Sequence, residues 1–279
     1  MPEGPEVRVI ADCLRKLLVG KQLLQITTND LSRYLNGIPR YSDVERYLPL
    51  SVLDVTTRGK KIIFSFSGDL EEGREIYLVV SLGMEGRFVL IPDQHSGVQF
   101  DFNDEERDTV IDLYFSDSRH FGLLEFVIGK DDLCQRLKDI GPDILQEEIS
   151  SEKWREIVRN PRLRKKTICD FLLDQKRVSG IGNYLRAEIL YRARIRPDRR
   201  LSELTDEELE RIRVEAIQTA RESYIARGLT IKSYCDLTGN KGSFVCSVYK
   251  QKTDPSGNPV VAQVLTDGRT MYWVPALQH

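Results

Sequence analysis

The stretch Val178-Ser179-Gly180-Ile181-Gly182-Asn183 leads directly into an apolar helical pattern over residues 184–190. Two glycines in front of a helix let backbone N–H groups approach an anion, and the helix dipole adds partial positive charge at the same point. The same pattern also forms ordinary turns between two helices. The stretch therefore predicts a helical domain and leaves an anion site at this turn as one of two interpretations.

The excess of positive charge around this turn favours its interpretation as an anion site. Residues 151–200 hold 15 Lys and Arg against 6 Asp and Glu, whereas residues 1–150 hold 17 against 27 and residues 201–279 hold 9 against 10. Such runs are usually solvated helix faces, but here they alternate with apolar helix positions, so binding to a phosphate backbone is at least as well supported. The basic block includes Arg159, Arg162, Arg164, Lys165, Lys166, Lys176, Arg177, Arg192, Arg194, Arg196, Arg199 and Arg200.

Downstream of the turn, the helical period continues and then stops. Thr205-x-x-Glu208 is a capping box that opens a helix, and Gly228 ends it. From about Phe244 the pattern changes to strands with turns at residues 255–259 and 266–268. We therefore expect a helical domain over residues 151–243 and a small β-hairpin over residues 244–279.

Upstream of residue 151, the sequence pattern is typical of a helix followed by a β-sandwich or barrel. Residues 3–18 carry apolar side chains at helical spacing, and Gly20 is the stop signal. Short β-branched or alternating runs follow, separated by turn signals; they cover residues 52–55, 61–66, 76–82, 87–91, 98–102, 110–115 and 123–127. We expect this first domain to span residues 1–128 and a linker to span residues 129–150.

The chain start carries a possible nucleophile. If Met1 is removed, Pro2 becomes a free secondary amine beside the Glu3 carboxylate, and such an amine can form a cationic iminium with an aldehyde-like carbon. A proline inside a chain cannot do this, because its lone pair is delocalised into the peptide bond. The plainer interpretation is that Pro2 only begins the first turn of a helix.

Composition limits the classes of protein that fit. The chain has 279 residues, of which 41% are hydrophobic, and no apolar run reaches the roughly 18 residues of a membrane span. It has neither a secretory leader nor a C-x-x-C pair, and its five cysteines are scattered. We expect an intracellular protein with reduced thiols and no metal site.

Together these features resemble the formamidopyrimidine-DNA glycosylase / endonuclease VIII family along the whole chain. The resemblance rests on six motifs in family order. They are Pro2-Glu3-x-Pro5-Glu6-Val7, Arg58-Gly59-Lys60, Leu82-Gly83-Met84-x-Gly86, Asp117-Ser118-Arg119-His120-Phe121-Gly122, Gly180–Asn183 with Glu188, and Gly268-Arg269-Thr270-x-Tyr272. The fold implied is α+β and multidomain: an N-terminal helix and β-sandwich, then a helix-two-turn-helix domain with a β-hairpin.

The resemblance assigns catalytic roles to five residues. Pro2 would attack C1′ of a damaged nucleoside, and Glu3 would move protons at the opening sugar. Glu6 and Glu188 would help to hold the amine, although either could be a structural salt-bridge partner. Lys60 would reach the phosphate beside the lesion, and only one of Lys60 and the adjacent Lys61 can face the DNA.

A second group of residues would contact DNA. Met84, Arg119 and Phe121 resemble the family's trio that fills the duplex where a nucleotide has been flipped out. Asn183 and Arg269 match residues that contact the DNA backbone. Ser81 is a departure, since the family often has histidine there, so another residue would supply that phosphate contact.

The hairpin departs further from the family pattern. Most members hold it with four cysteines on zinc, whereas the matching positions here are Thr253, Ser256, Trp273 and Ala276, which are not soft ligands for zinc. The segment therefore resembles the zincless-finger branch of Nei-like glycosylases.

These observations predict a bifunctional DNA glycosylase and AP lyase of base excision repair. The expected partner is double-stranded DNA with oxidised bases, namely oxidised pyrimidines and ring-opened or hydantoin purines. The expected protein is an intracellular monomer, in nucleus or cytoplasm, without cofactor or membrane, and residues 229–243 would help to set lesion preference. Two alternatives stay open: a catalytically silent nucleic-acid-binding protein, and a tautomerase that uses a terminal proline as its base.

Overall fold

The computed structural model describes residues 1–30, 32–34, 37–67, 75–104, 108–230, 237, 239–265 and 267–279. They form two compact units. The sheet unit contains Met1–Pro2 and Glu6–Lys138, and the helical unit contains Glu3–Pro5, Asp139–Thr230 and Ser243–His279. Residues 231–236 and 238, within the loop expected to set lesion preference, lie outside the described residues.

The sheet unit begins with the predicted amphipathic helix. Helix α1 spans Gly4–Leu18, and its apolar face, which includes Val7, Ala11 and Leu14, is fully buried. Gly20 has φ +84°, a conformation that side chains disfavour, and its N–H donates to Val52 O. This glycine ends the helix and turns the chain into the first strand, as the sequence predicted.

Eight antiparallel strands form one continuous sheet in the described residues. They are β1 (Gln22–Thr28), β2 (Leu50–Arg58), β3 (Lys61–Ser67), β4 (Ile76–Ser81), β5 (Arg87–Val89), β6 (Ser96–Asp104), β7 (Thr109–Ser116) and β8 (Leu123–Ile128). Their order across the sheet is β5-β7-β6-β1-β2-β3-β4-β8. Each of the seven predicted strand runs falls in one of them, and a short helix, α2 (Tyr41–Val44), lies between β1 and β2.

The sheet folds back on itself, which confirms the predicted sandwich. Four strands separate β5 from β3 in the sheet order, yet the rings of Phe88 and Phe64 lie 5.8 Å apart. Phe88 also packs 5.3 Å from Phe115, so aromatic side chains from both halves share one core. Register shifts in the pairings of β1 with β6, β2 with β3 and β6 with β7 mark bulges, which bend strands.

The segment expected to be a linker contains a helix. Helix α3 spans Lys130–Leu137, and its Leu133 and Leu137 pack on the outer face of the sheet. That face presents four buried residues, Ile63, Tyr77, Val79 and Val127. The boundary between the units falls at Lys138, so only the second part of residues 129–150 connects them.

The helical unit contains four α-helices among the described residues: α4 (Ser151–Val158), α5 (Ile168–Leu173), α6 (Asn183–Arg192) and α7 (Asp206–Ile225). The Ser150, Thr167 and Thr205 side chains cap α4, α5 and α7. The Thr205–Glu208 capping box is present as predicted. Helix α6 is buried along residues 184–190, so it forms the core of this unit.

The C-terminal segment is a two-stranded hairpin. Strands β9 (Val261–Val264) and β10 (Thr270–Trp273) pair in antiparallel register, with Gly268 at φ +74° in the turn. Regular strand therefore covers less of the tail than predicted. The predicted turn at residues 255–259 is held by Asp254, whose side chain accepts the backbone N–H groups of Ser256 and Asn258.

Of the helices in the described residues, none has both the length and the apolarity that a bilayer span requires.

Candidate functional site

The beginning of the chain docks on the glycine turn in front of helix α6. The Gly4 N–H donates to Gly180 O at 2.8 Å, and Gly180 has φ +97°. A Cβ on Gly4 would lie 3.0 Å from the Gly180 Cα, so a larger residue at position 4 would push the backbones apart. The two glycine positions thus allow the chain start and the turn to make close backbone contact.

Glu3 occupies the N-terminus of α6. Its carboxylate accepts the Tyr184 N–H at 2.9 Å and the Leu185 N–H at 3.3 Å, and the residue is 2% exposed. Gly182 leaves the room for it, because a Cβ there would lie 2.2 Å from the Glu3 Cδ. In the structure, the anion at this turn is therefore a carboxylate of the chain itself.

Pro2 precedes this anchored carboxylate by one residue. Pro2 is buried, and Glu6 in the first turn of α1 is 2% exposed. Because Pro2 and Glu3 are covalent neighbours, fixing the Glu3 side chain places an acid within a few bonds of the Pro2 nitrogen.

Glu188 is fully buried on α6, and its carboxylate accepts the backbone N–H groups of Ser247, Val248 and Tyr249 at 2.8, 2.9 and 2.9 Å. These three hydrogen bonds hold the chain that enters the hairpin. The catalytic role expected of Glu188 stays a prediction.

Asn183 and Arg269 belong to one network. The Asn183 Nδ2 donates to Thr270 O at 2.9 Å, and its Oδ1 accepts from Arg186 at 2.5 Å. Arg269 lies exposed in the hairpin turn, one residue before Thr270. Asn183 therefore connects the start of α6 to the hairpin strand that follows Arg269.

The two lysines at the β2–β3 turn have distinct surroundings. Lys60 lies in the turn between the strands, whereas Lys61 is the first residue of β3. Lys61 shares its strand face with Ile63, on the side covered by α3. Burial lowers the pKa of Lys61, and Glu125 nearby acts in the opposite direction. Lys61 is therefore committed to the outer face, which leaves Lys60 as the candidate to contact DNA.

Met84, Arg119 and Phe121 lie on two adjoining loops of the sheet unit. All three side chains are exposed, and the Arg119 guanidinium lies 4.9 Å from the Phe121 ring centroid. Gly83 brings the loops together, because its φ is +61° and a Cβ there would lie 2.6 Å from the Phe121 backbone. The structure thus presents an apolar side chain, an aromatic ring and a cation side by side on one surface.

Hydrogen bonds from Asp117 and Arg33 hold the second of these loops. The Asp117 carboxylate accepts the backbone N–H groups of Arg119 and Gly122 at 3.2 and 2.5 Å. The Arg33 Nη1 donates to the carbonyls of His120 and Gly122 at 2.9 and 3.2 Å. These bonds fix the backbone on both sides of Phe121. Arg33 was not expected from the sequence, because nothing in its own neighbourhood distinguishes it from a surface arginine.

Three family models match this chain, and together they cover nearly all of it. They are the formamidopyrimidine-DNA glycosylase N-terminal domain over residues 1–124, the H2TH domain over residues 140–234 and the C-terminal domain over residues 235–279. The chain belongs to the formamidopyrimidine-DNA glycosylase family. The domain resemblance drawn from the six sequence motifs is thereby confirmed.

Individual relatives extend over the full length. The formamidopyrimidine-DNA glycosylase of Wolbachia pipientis is 28% identical, with 100% of both chains covered, and that of Bacillus cereus is 29% identical, with 100% of this chain and 99% of the relative covered. The crystal structure of MutM (Fpg) from Thermus thermophilus matches with a TM-score of 0.82 and 30% identity, covering 99% of this chain and 98% of that one.

A further structural match is a complex with DNA. Lactococcus lactis Fpg bound to DNA containing an abasic site has a TM-score of 0.83 and 25% identity, with 99% of each chain covered. Membership of this family gives the enzyme class of the chain, which is a DNA glycosylase with AP lyase activity that acts in base excision repair. That assignment decides against both alternatives, the silent nucleic-acid-binding protein and the tautomerase.

In this family member, much of the basic block serves the structure. Many of its cations form ion pairs with acidic side chains inside the helical unit, including Lys166 with Asp174 at 2.7 Å and Arg199 with Glu208 at 2.5 Å. Arg159, Lys176, Arg177, Arg192 and Arg196 are also paired. The surplus positive charge of residues 151–200 therefore overstates the surface offered to phosphates. Arg162, Arg164, Lys165, Arg194 and Arg200 are the exposed members that remain.

The hairpin of this family member does not fit the family's zinc site. Thr253, Ser256, Trp273 and Ala276 offer neither thiolate nor imidazole. Among the described residues, no three His, Cys, Asp or Glu side chains lie close enough together to hold a metal ion. Asp254 organises the turn that contains Ser256, and the Trp273 indole nitrogen is buried. We therefore assign no step to zinc.

Proposed function

We propose that this glycosylase removes an oxidised base from double-stranded DNA through a covalent bond between Pro2 and the damaged nucleotide. The observation that carries the proposal is the Glu3 carboxylate, buried and held by two backbone N–H groups of α6 beside Pro2. An acid fixed in this way loses little entropy when it acts on a substrate bound to its neighbour.

The reaction balances with groups that the chain and DNA supply. The Pro2 lone pair forms a bond to C1′, and the C1′–base bond breaks, so that the base leaves with the electron pair and takes up the proton that the Pro2 nitrogen loses. Glu3 protonates the ring oxygen of the sugar as the ring opens, which leaves an iminium between Pro2 and C1′. Loss of a C2′ proton expels the 3′ phosphate, a second elimination expels the 5′ phosphate, and water then releases Pro2.

Lys60 supports this chemistry electrostatically in the proposal. An ammonium near the phosphate next to the lesion would stabilise negative charge as that phosphate departs. Lys60 lies in the turn between β2 and β3, whereas Lys61 faces the α3 side of the sheet. Glu6, buried in the first turn of α1, would keep the chain start in place.

DNA is held and opened by two surfaces in this proposal. Met84, Arg119 and Phe121 would enter the duplex where the damaged nucleotide leaves, since an apolar wedge, an aromatic ring and a hydrogen-bond donor replace what an unstacked base loses. Asn183 and Arg269, with the exposed arginines of the basic block, would hold the phosphate backbone. The protein would act as an intracellular monomer without a cofactor.

The substrates proposed are oxidised pyrimidines and ring-opened or hydantoin purines. The hairpin residues favour this class, because they resemble the zincless Nei-like branch. The structural neighbour from Lactococcus lactis has been crystallised with DNA that contains Fapy-dG, a ring-opened purine, and with DNA that contains an abasic site. A panel of single-lesion duplexes would rank these bases by excision rate.

Borohydride trapping tests the mechanism. Mixing the protein with lesion-containing duplex and borohydride should give a covalent protein–DNA adduct. The Pro2→Gly variant and a form that retains Met1 should give none, because the first lacks the secondary amine and the second has it blocked. Pro255→Gly, in an exposed turn of the hairpin segment, is the matched proline control and should trap like the parent. Absence of an adduct on every lesion and on an abasic site would refute the mechanism.

A further inference from the structure

Helix α6 has one arginine, Arg186, within its buried stretch. Arg186 is 0% exposed, between the buried Leu185 and Ala187. Its Nη1 contacts the Asp267 Oδ2 at 3.1 Å, and its Nη2 donates to the Asn183 Oδ1. A fully buried guanidinium is rare unless it is paired, because it stays protonated in proteins.

Asp267 is the acidic partner that the structure gives to this cation. Cys169 also lies near Arg186, and burial raises the pKa of its thiol to about 12 despite the opposing effect of Arg186. A thiol at that pKa stays protonated near neutral pH and contributes no negative charge. The charge of Arg186 is therefore balanced from the hairpin turn.

The same carboxylate also shapes the turn that holds Arg269. While the Asp267 Oδ2 contacts Arg186, its Oδ1 accepts the Arg269 backbone N–H at 2.9 Å. On the far side of Arg269, the Thr270 carbonyl accepts from Asn183. Asp267 and Thr270, on the two sides of Arg269, are thus bonded to residues of the first turn of α6. Arg186 contacts both Asp267 and Asn183, which make these bonds.

We propose that Arg186 is a positioning residue that fixes the hairpin turn through Asp267, so that Arg269 and Asn183 meet the DNA backbone in one fixed arrangement. In this chain the ion pair would do what four thiolates on zinc do for the hairpin elsewhere in the family. The inference rests on the proposed DNA-binding role of Arg269.

A double-mutant cycle between Asp267 and Arg269 tests it. The probe is a duplex with a tetrahydrofuran analogue of an abasic site, and the readouts are Kd and its dependence on salt. Asp267→Asn and Arg269→Ala should each weaken binding by about tenfold, as for loss of a hydrogen bond to a charged group. Each should also lower the slope of log Kd against log salt concentration by about 1.

The double variant should bind no more weakly than Arg269→Ala alone, because Asp267 acts through Arg269. Asp267→Glu, which keeps the charge, should restore most of the affinity and the salt slope. Additive effects in the double variant, or an Asp267→Asn protein that binds like the parent, would overturn the inference.

A purely structural role would change stability without changing the salt slope, so the Tm of each variant is measured alongside. Glu222→Gln is the matched control, since it removes the Arg192–Glu222 ion pair of 2.7 Å from the opposite end of α6 and should leave both binding readouts unchanged. A changed slope in this control would also count against a specific role for Arg186.

The double-mutant cycle measures DNA binding without a chemical step, so its outcome is independent of the outcome of borohydride trapping. If the parent protein gives no adduct but the cycle is non-additive, the Pro2 mechanism fails and the positioning role stands. If the parent gives the adduct and the cycle is additive, only the positioning role fails.

Discussion

A missing side chain at Gly182 decides where the Glu3 carboxylate can lie. The φ of Gly182 is −130°, which any residue can adopt, so the constraint is the space that Glu3 fills. Gly182→Ala should therefore displace the carboxylate and destabilise the protein by about 1–3 kcal/mol, the usual cost of overpacking.

Removing the Glu3 side chain tests why Gly182→Ala destabilises the protein. In a Glu3→Ala background the added methyl group meets no carboxylate, so the Gly182→Ala penalty in urea unfolding should largely vanish. An equal penalty with and without Glu3 would mean that the backbone at Gly182, and not the carboxylate, sets the limit.

Asp93 provides a pH-dependent contribution to the stability of the sheet unit. Burial raises the pKa of its carboxyl, but hydrogen bonds from Arg87, Ser116 and the His95 N–H outweigh this and lower the pKa to about 2 from 3.8. Because the folded pKa is the lower one, the contribution is present above pH 4 and is lost as pH falls towards 2.

Asp93→Asn should accordingly cost about 1–2 kcal/mol in the free energy of unfolding at pH 7, after allowance for partial solvent exposure. The difference between variant and parent should shrink between pH 4 and pH 2 in urea titrations. A difference that stays constant with pH would show that lost packing, and not ionisation, destabilises the variant.

At the scale of elements, the loop with Arg119 and Phe121 is held by Arg33 from a distant part of the chain. If that loop opens the duplex, loosening it should matter only where a duplex must be opened. Arg33→Ala should slow excision from double-stranded DNA by about tenfold, since two hydrogen bonds from a charged group are lost.

Excision from a single-stranded oligonucleotide with the same lesion should be unchanged in Arg33→Ala. Arg46→Ala is a suitable control, because its guanidinium lies over the Tyr47 ring away from this loop. An equal loss of excision rate on both substrates would mean that Arg33 stabilises the protein in general and has no specific role in duplex opening.

The elements themselves were largely predictable, because their signals are local. Period-3.6 and period-2 apolar patterns gave α1, α7 and the strands, and the Thr205–Glu208 box gave a helix start. Helix α3 was assigned to a linker because its sequence is mostly charged, and its two packing leucines are too few to make a clear periodic face.

The site was less predictable, because its contacts join residues far apart in sequence. Motifs identified Glu3 and Gly182, but the sequence did not show that one fills the space left by the other. Glu188 was predicted to belong to the catalytic group, which stays a prediction, and Arg186 was not singled out. Both are buried, and each contacts the segment that leads through the hairpin. Their partners, Ser247 and Asp267, lie far along the chain from α6, so local pattern could not reveal these contacts.

At the scale of the whole molecule, metal independence is the property to measure. The four positions that match the family's zinc ligands are Thr253, Ser256, Trp273 and Ala276. Treatment with a strong chelator should leave Tm and excision rate unchanged, and mass spectrometry of the intact protein should find no stoichiometric zinc.

A family member that has the four cysteines is the positive control, and it should lose stability in the same chelator. Loss of activity in this protein, reversed by added zinc, would show that a metal site forms from residues other than those four.

Contacts of carboxylate, guanidinium and backbone amide anchor the segment that leads through the hairpin. Zinc thiolates are oxidised by peroxide and then release their metal, while these groups are inert to the same reagent. With the substrates proposed above, the enzyme would thereby keep its affinity for DNA under the oxidising conditions that produce those substrates.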